Sequence, residues 1–76
     1  MDINQKIGDR IKELRKIKNL SQEGLANLAE VDRTYMTGVE TGKRNVTVKI
    51  LEKIIKALNC NYKTFFDDKL FEDEKN

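Results

Sequence analysis

Few side chains in this 76-residue sequence suit covalent chemistry, whereas many can donate or accept hydrogen bonds. There is no histidine and a single cysteine, Cys60, which excludes imidazole acid–base catalysis, the usual zinc ligand sets and an internal disulfide. Cys60 follows an apolar helical stretch, where a thiol serves as a small hydrophobe rather than a nucleophile. No nucleophile–base pair or metal set is visible, so the chain reads as a non-enzyme with no cofactor and no metal. What remains is a run of hydroxyl, amide, guanidinium and ammonium groups between Ser21 and Thr47. It includes Gln22, Arg33, Thr34, Tyr35, Thr37, Lys43, Arg44 and Asn45.

Charge is unevenly placed. Residues 67–76 hold five acids and two bases, so the +2 net charge of the chain is the sum of a −3 tail and a +5 body. A basic body fits a polyanionic partner, although many solvated helical domains have the same balance. No apolar run approaches the ~20 residues that span a bilayer. The N-terminus, MDINQKIGDRIKELRK, alternates apolar and charged residues, unlike the unbroken apolar centre of a signal peptide. The expectation is a cytoplasmic protein without a membrane segment.

Positioning those groups requires rigid elements, and the pattern predicts five short helices in one domain spanning 1–76. The packed part is expected over about residues 5–66, followed by the acidic tail 67–76. Ile3, Ile7, Ile11 and Leu14 form one stripe of a first helix from about Asn4 to Lys18, with Lys6, Arg10, Lys12, Arg15, Lys16 and Lys18 on much of its remaining surface. Ser21 caps a second helix, Gln22 to Ala29, although Gly24 stands where a glutamate would complete a capping box. After the turn at Glu30–Val31, Asp32 caps a third helix, Arg33 to Glu40, which Gly42 ends in a left-handed conformation. Thr47 caps a fourth helix from Val48 to Leu58, striped by Val48, Leu51, Ile54, Ile55 and Leu58. Asn61 caps a short fifth helix carrying Tyr62, Phe65 and Phe66.

The segment Gln22–Val39 has the spacing of a helix-turn-helix. Leu25, Ala29, Val31, Met36 and Val39 fall at its core-facing positions, and the small Ala26 sits where the helices cross. An ordinary helical hairpin with one buried face is the plain alternative.

The stretch GDRIKELRKIKNLSQEGLANLAEVDRTYMTGVETGKRN resembles the Cro and phage-repressor type of helix-turn-helix. LSQEGLA is similar to the start of that family's second helix, VDRTYMTGVETGKRN to its recognition helix and following loop, and KILEKIIKALN to its fourth helix. The likeness covers about residues 5–66. Glu30 departs from the glycine frequent in the turn and would be strained at positive φ, and Gly24 replaces a usual glutamate.

The resemblance implies an all-α, lambda-repressor-like fold whose third helix enters the major groove of double-stranded operator DNA. Arg33, Thr34, Thr37 and Gly38 would then lie on its exposed face. Arg33 is the candidate for bidentate contact with guanine O6 and N7, and Thr34 for a thymine methyl or a phosphate. Tyr35 and Arg44 are further candidates for base contact, with the core edge as the other reading for Tyr35. Gly38 would let the helix approach DNA closely. Ser21 and Gln22 at the second helix, and Lys43, Arg44, Asn45 and Thr47 after the third, would hold the sugar–phosphate backbone. An arginine late in the first helix pairs with a glutamate ending the recognition helix in this family, which implies the pair Arg15–Glu40.

Two recognition helices roughly 34 Å apart would read a two-fold symmetric operator, so a homodimer is expected. Its interface is placed at the C-terminal apolar residues Phe66, Leu70 and Phe71, with docking of the tail onto the same subunit as the competing role. Length, DRTYMTG and RNVT make the sequence resemble controller proteins of restriction–modification systems, which act on their own promoter. A phage-type or chromosomal repressor, or an antitoxin, shares the pattern. With no room for a sensing domain, regulation is expected to follow protein concentration; an activator would meet RNA polymerase near Glu23. The rival from another class is a helical protein-interaction module that does not bind DNA.

Overall fold

Each α-helix begins at a side chain that takes up one of the amides the helix leaves unbonded. In the computed structural model, which describes residues 1–72, the elements are α1 (Ile3–Ile17), α2 (Gln22–Ala29), α3 (Arg33–Glu40), α4 (Val48–Ala57), α5 (Tyr62–Phe66) and a 3₁₀ turn, Lys69–Phe71. Residues 73–76 of the expected acidic tail lie outside the described residues. Asp2, Ser21, Asp32, Thr47 and Asn61 accept from the backbone N–H of Gln5, Gly24, Tyr35, Ile50 and Thr64 respectively. The last four match the expected caps. Asp2 starts the first helix earlier than its apolar stripe suggests, because a good cap extends a helix past the residues that need burial.

The ends of α1 to α4 share one solution. Each chain reversal passes through a residue at positive φ: Asn19 at 59°, Glu30 at 57°, Gly42 at 78° and Asn59 at 54°. The amide beyond it then bonds back to a carbonyl five residues earlier, as in Leu20 to Arg15, Val31 to Ala26, Lys43 to Gly38 and Cys60 to Ile55. This satisfies carbonyls that the helix ends would otherwise leave orphaned. Glu30 therefore holds the strained conformation expected of it; its left-handed backbone costs about 1–2 kcal/mol relative to glycine-like freedom.

α1 packs on α3, and α2 packs on both α3 and α4. Ile11, Leu25, Met36, Ile54, Ile55, Leu58 and Phe65 are fully buried at their meeting point. The apolar stripes run beyond this core: Ile3 is 56% exposed and Val48 85% exposed. Val31 is only half-buried at the edge of the core.

Two residues of α1 set the packing without belonging to the stripe. Gly8 lies against the backbone carbonyls of Val39 and Glu40, where a Cβ would overlap both. Gly8→Ala is expected to push α1 off α3 and lower stability by about 1–3 kcal/mol. Thermal melting checks this, and an unchanged melting temperature would mean that the helices can separate without loss. Arg10, placed by its charge among the surface residues, is instead 7% exposed. Its guanidinium donates to the carbonyls of Phe65 (2.7 Å) and Thr64 (2.8 Å) and to the carboxylates of Glu13 (2.9 Å) and Asp68 (3.2 Å). One side chain thus closes the C-terminal end of α5 and ties down the start of the acidic segment.

No helix among the described residues is long and apolar enough to cross a membrane. No cluster of three or more metal-ligating side chains occurs among them either.

Candidate nucleic-acid interface

α2, the turn at Glu30–Val31 and α3 form the helix-turn-helix. Ala26 and Leu25 are buried where α2 meets its neighbours, and Met36 and Val39 seat α3 on the core. Burying that face leaves Arg33, Thr34 and Thr37 exposed on the other. Arg33 and Thr34 form the first turn after the Asp32 cap. Arg33 makes no ion pair with the described residues, so its five N–H donors remain available.

The C-terminal end of α3 is held by a buried charge. The Glu40 carboxylate is fully buried and accepts from Arg15 Nε at 2.7 Å and Arg15 Nη2 at 3.0 Å. Arg15 Nη1 donates to the Leu20 carbonyl at 3.0 Å. The hydrogen bond to Glu40 raises the Arg15 pKa above its already high value, against the opposing effect of burial, so the guanidinium stays charged throughout the folded range. Gln22 joins the pair from α2: its amide nitrogen donates to Glu40 at 3.2 Å, and its carbonyl oxygen accepts from the Thr37 hydroxyl at 2.7 Å. A continuous line of polar contacts therefore runs from α1 to the exposed face of α3. No buried side-chain nitrogen or oxygen among the described residues lacks a partner.

The loop after α3 is braced rather than loose. The Tyr35 hydroxyl donates to the Asn45 carbonyl at 3.1 Å while its ring packs at the core edge, so this side chain serves the scaffold and borders the exposed face at once. The Asn45 side chain accepts from Asn4 of α1 at 2.6 Å. Arg44 crosses the Tyr35 ring, its guanidinium carbon 5.6 Å from the centroid, and its stem lies over Gly38. Gly38 is therefore covered by Arg44, not open for close approach of another molecule; a Cβ there would meet the Arg44 side chain. Lys43 remains exposed. Ser21 and Thr47 use an oxygen lone pair for capping, which leaves each hydroxyl proton free to donate outward. The first amides of α2 have no partner within the helix and suit an anion.

Of the C-terminal aromatic and aliphatic residues, Phe66 is 41% exposed, whereas Leu70 and Phe71 are half-buried. The Phe71 ring lies 5.0 Å from that of Phe66 and 6.2 Å from that of Phe65. Phe66 also borders an open groove of about 440 Å³ between α4 and α5, lined by Val48, Leu51, Ile55 and Tyr62. Glu52 accepts from the Tyr62 hydroxyl at 2.9 Å on its rim, a bond that raises the phenol pKa. The groove residues Val48, Leu51 and Tyr62 were absent from the expected pairing surface. Their signal was the apolar stripe of the fourth helix, which is wider than the core it covers.

Such a rigidly seated α3 with free donors beside a basic loop is the geometry of a DNA reader. The helix-turn-helix family matches residues 11–65, and the chain belongs to this family of DNA-binding transcriptional regulators, of the Cro and phage-repressor type. Among its relatives are controller proteins of restriction–modification systems. Control protein C.MunI of Mycoplasma sp. is 44% identical over 68 residues, covering 88% of this chain and 92% of that protein. The controller protein C.AhdI of Aeromonas hydrophila superimposes with a TM-score of 0.79 at 44% identity, over 83% of this chain and 96% of that one. C.Esp1396I, as a tetramer on its natural 35 base-pair operator, gives a TM-score of 0.83 at 39% identity over 88% of each chain. These relatives are regulators, and this chain is not an enzyme.

Proposed function

We propose that the chain is a controller protein of a restriction–modification system that binds, as a homodimer in the cytoplasm, a two-fold symmetric site in its own promoter. The exposed face of α3, with Arg33 free and the helix locked by Arg15–Glu40, is the observation that carries this reading. Arg33, Thr34, Thr37 and Arg44 read base edges, with Tyr35 bracing Arg44 at the border of that face. Ser21, Gln22, Lys43, Asn45 and Thr47 hold the phosphates on either side. The controller relatives, one of them on its operator, support the class. RNA polymerase is the further partner of an activator of this kind, reached near Glu23.

The dimer surface in this reading is the α4–α5 groove with Phe66, flanked by Leu70 and Phe71. Val48, Tyr62 and Phe66 are large side chains exposed together there, in a small domain that gains from additional burial. Phe66→Asp is expected to raise the dimer dissociation constant by about 30-fold, the worth of one interface hot spot. Sedimentation equilibrium measures that shift, and footprinting on the DNA upstream of the coding region tests the whole reading. A symmetric protected site, weakened in Phe66→Asp, supports it. A monomer at micromolar concentration with no protection at low salt sends the search to a protein partner.

A further inference from the structure

The hydrogen-bond line behind α3 determines the polarity of one of its exposed hydroxyls. The buried Glu40 carboxylate, bound to Arg15, is acceptor-only, so the side of Gln22 that meets it must be the NH₂ group. Gln22 Oε1 then faces Thr37, and the Thr37 hydroxyl must donate to it, at 2.7 Å. Its other close neighbour, the Arg33 carbonyl at 3.1 Å, is also an acceptor. Either way the proton of Thr37 is committed inside the protein, and only its lone pairs face outward from α3.

Resting on the proposal that α3 reads DNA, we propose that Thr37 is a specificity-determining acceptor. It selects a base presenting an exocyclic amino group in the major groove, N6 of adenine or N4 of cytosine, and Gln22 positions its proton. Guanine O6 and thymine O4 would oppose a lone pair with a lone pair. A threonine free to rotate would accept either kind of edge; this one does not. The discrimination is built behind the recognition face, by residues of α1 and α2 as much as of α3.

The experiment begins with selection of bound duplexes from a random pool by wild type, Thr37→Val and Thr37→Ser. Wild type and Thr37→Ser should share a preference at one symmetric pair of positions that Thr37→Val, lacking the oxygen, loses. At that position the adenine is replaced by purine lacking the 6-amino group, or the cytosine by a pyrimidinone lacking the 4-amino group. A 7-deaza purine at the same position serves as the control. Loss of the amino group should weaken wild type by about 5- to 150-fold and leave Thr37→Val unaffected, whereas the 7-deaza base should act equally on both proteins. Gln22→Leu, with only the longer bond to Arg33 left to hold the proton, should reduce that discrimination by about 5-fold, the worth of one hydrogen bond.

Thr37→Val with unchanged preferences at every position, while wild type still selects a site, overturns the inference and leaves the DNA-reading proposal standing. Dependence on N7 instead of the amino group overturns it too. An undiminished amino preference in Gln22→Leu overturns the assignment of the proton to Gln22. Failure of wild type to enrich any sequence at low salt removes both the inference and the reading on which it rests.

Discussion

Arg33→Ala should weaken operator binding by about 2–6 kcal/mol for a dimer, since each bidentate guanine contact is worth about 1–3 kcal/mol and two recognition helices lose one each. In a binding titration that is a loss of about 30-fold to more than 10⁴-fold. The physical basis is the contrast between Arg33 and the other two arginines of the region. Arg15 is spent on Glu40 and the Leu20 carbonyl, and Arg44 lies across Tyr35 and Gly38. Arg33 stands exposed in the first turn of α3 with no ion pair among the described residues. Its guanidinium therefore surrenders no internal bond on meeting a base.

The signature is selectivity, not merely affinity. Duplexes selected by Arg33→Ala should lose preference at one symmetric pair of positions. Lys43→Ala, by contrast, should weaken all sequences alike and reduce the log–log salt slope by about 0.9. If Arg33→Ala selects the same site with the same stringency as wild type, α3 is not read as proposed.

Arg15→Ala is expected to lower folding stability by about 3–5 kcal/mol, because it strands a fully buried carboxylate. In a domain of this size that corresponds to a melting temperature lower by about 12 °C or more. Glu40 would keep one neutral donor, Gln22, at 3.2 Å, which cannot replace a bidentate cation. Glu40→Ala should cost less. The Arg15 side chain is 12% exposed, can turn toward water, and retains the Leu20 carbonyl. Replacing both residues with apolar side chains of similar volume should recover part of the loss, since the pair is expensive to break but not to replace. Calorimetry of the three variants decides the order. Equal melting temperatures for wild type and Arg15→Ala would show that Glu40 is accommodated without its partner, and α3 would then need another explanation for its rigidity.

Local signals account for most of the agreement between sequence and fold. Ser21, Asp32, Thr47 and Asn61 are cap residues by chemistry, each followed by an apolar helical period, and each accepts the amide three residues on. Helix ends are legible for the same reason at Gly42. Asn19 and Asn59 occupy the same left-handed position, but asparagine is too common outside helix termini to mark it without coordinates. The Arg15–Glu40 pair entered through family resemblance; nothing in the spacing of the two residues by itself requires it.

Other features had no local signature. Arg10 and Lys12 are alike in a charge count, yet Arg10 lies between Ile7 and Leu14 on the buried side of α1 and ends at the carbonyls of α5, far along the chain. Its position on the apolar stripe was the available sign. Gly8 looks like a weak point in a helix until the carbonyls of Val39 and Glu40 are placed against it. Gly38 shows the opposite error: the missing side chain makes room for Arg44 of the same chain, whose approach depends on how the loop folds back.

The sequence by itself determined the elements, their caps and the family, because those depend on side chains reaching no more than a turn away and on periods of apolar residues. Tertiary structure alone decided which charges are spent and which are free. It buried Glu40 and Arg10, joined Gln22 to Thr37, laid Arg44 over Gly38 and left Arg33 open. Such outcomes depend on distances between residues remote in the chain, where a shift of one ångström separates a hydrogen bond from a solvated group.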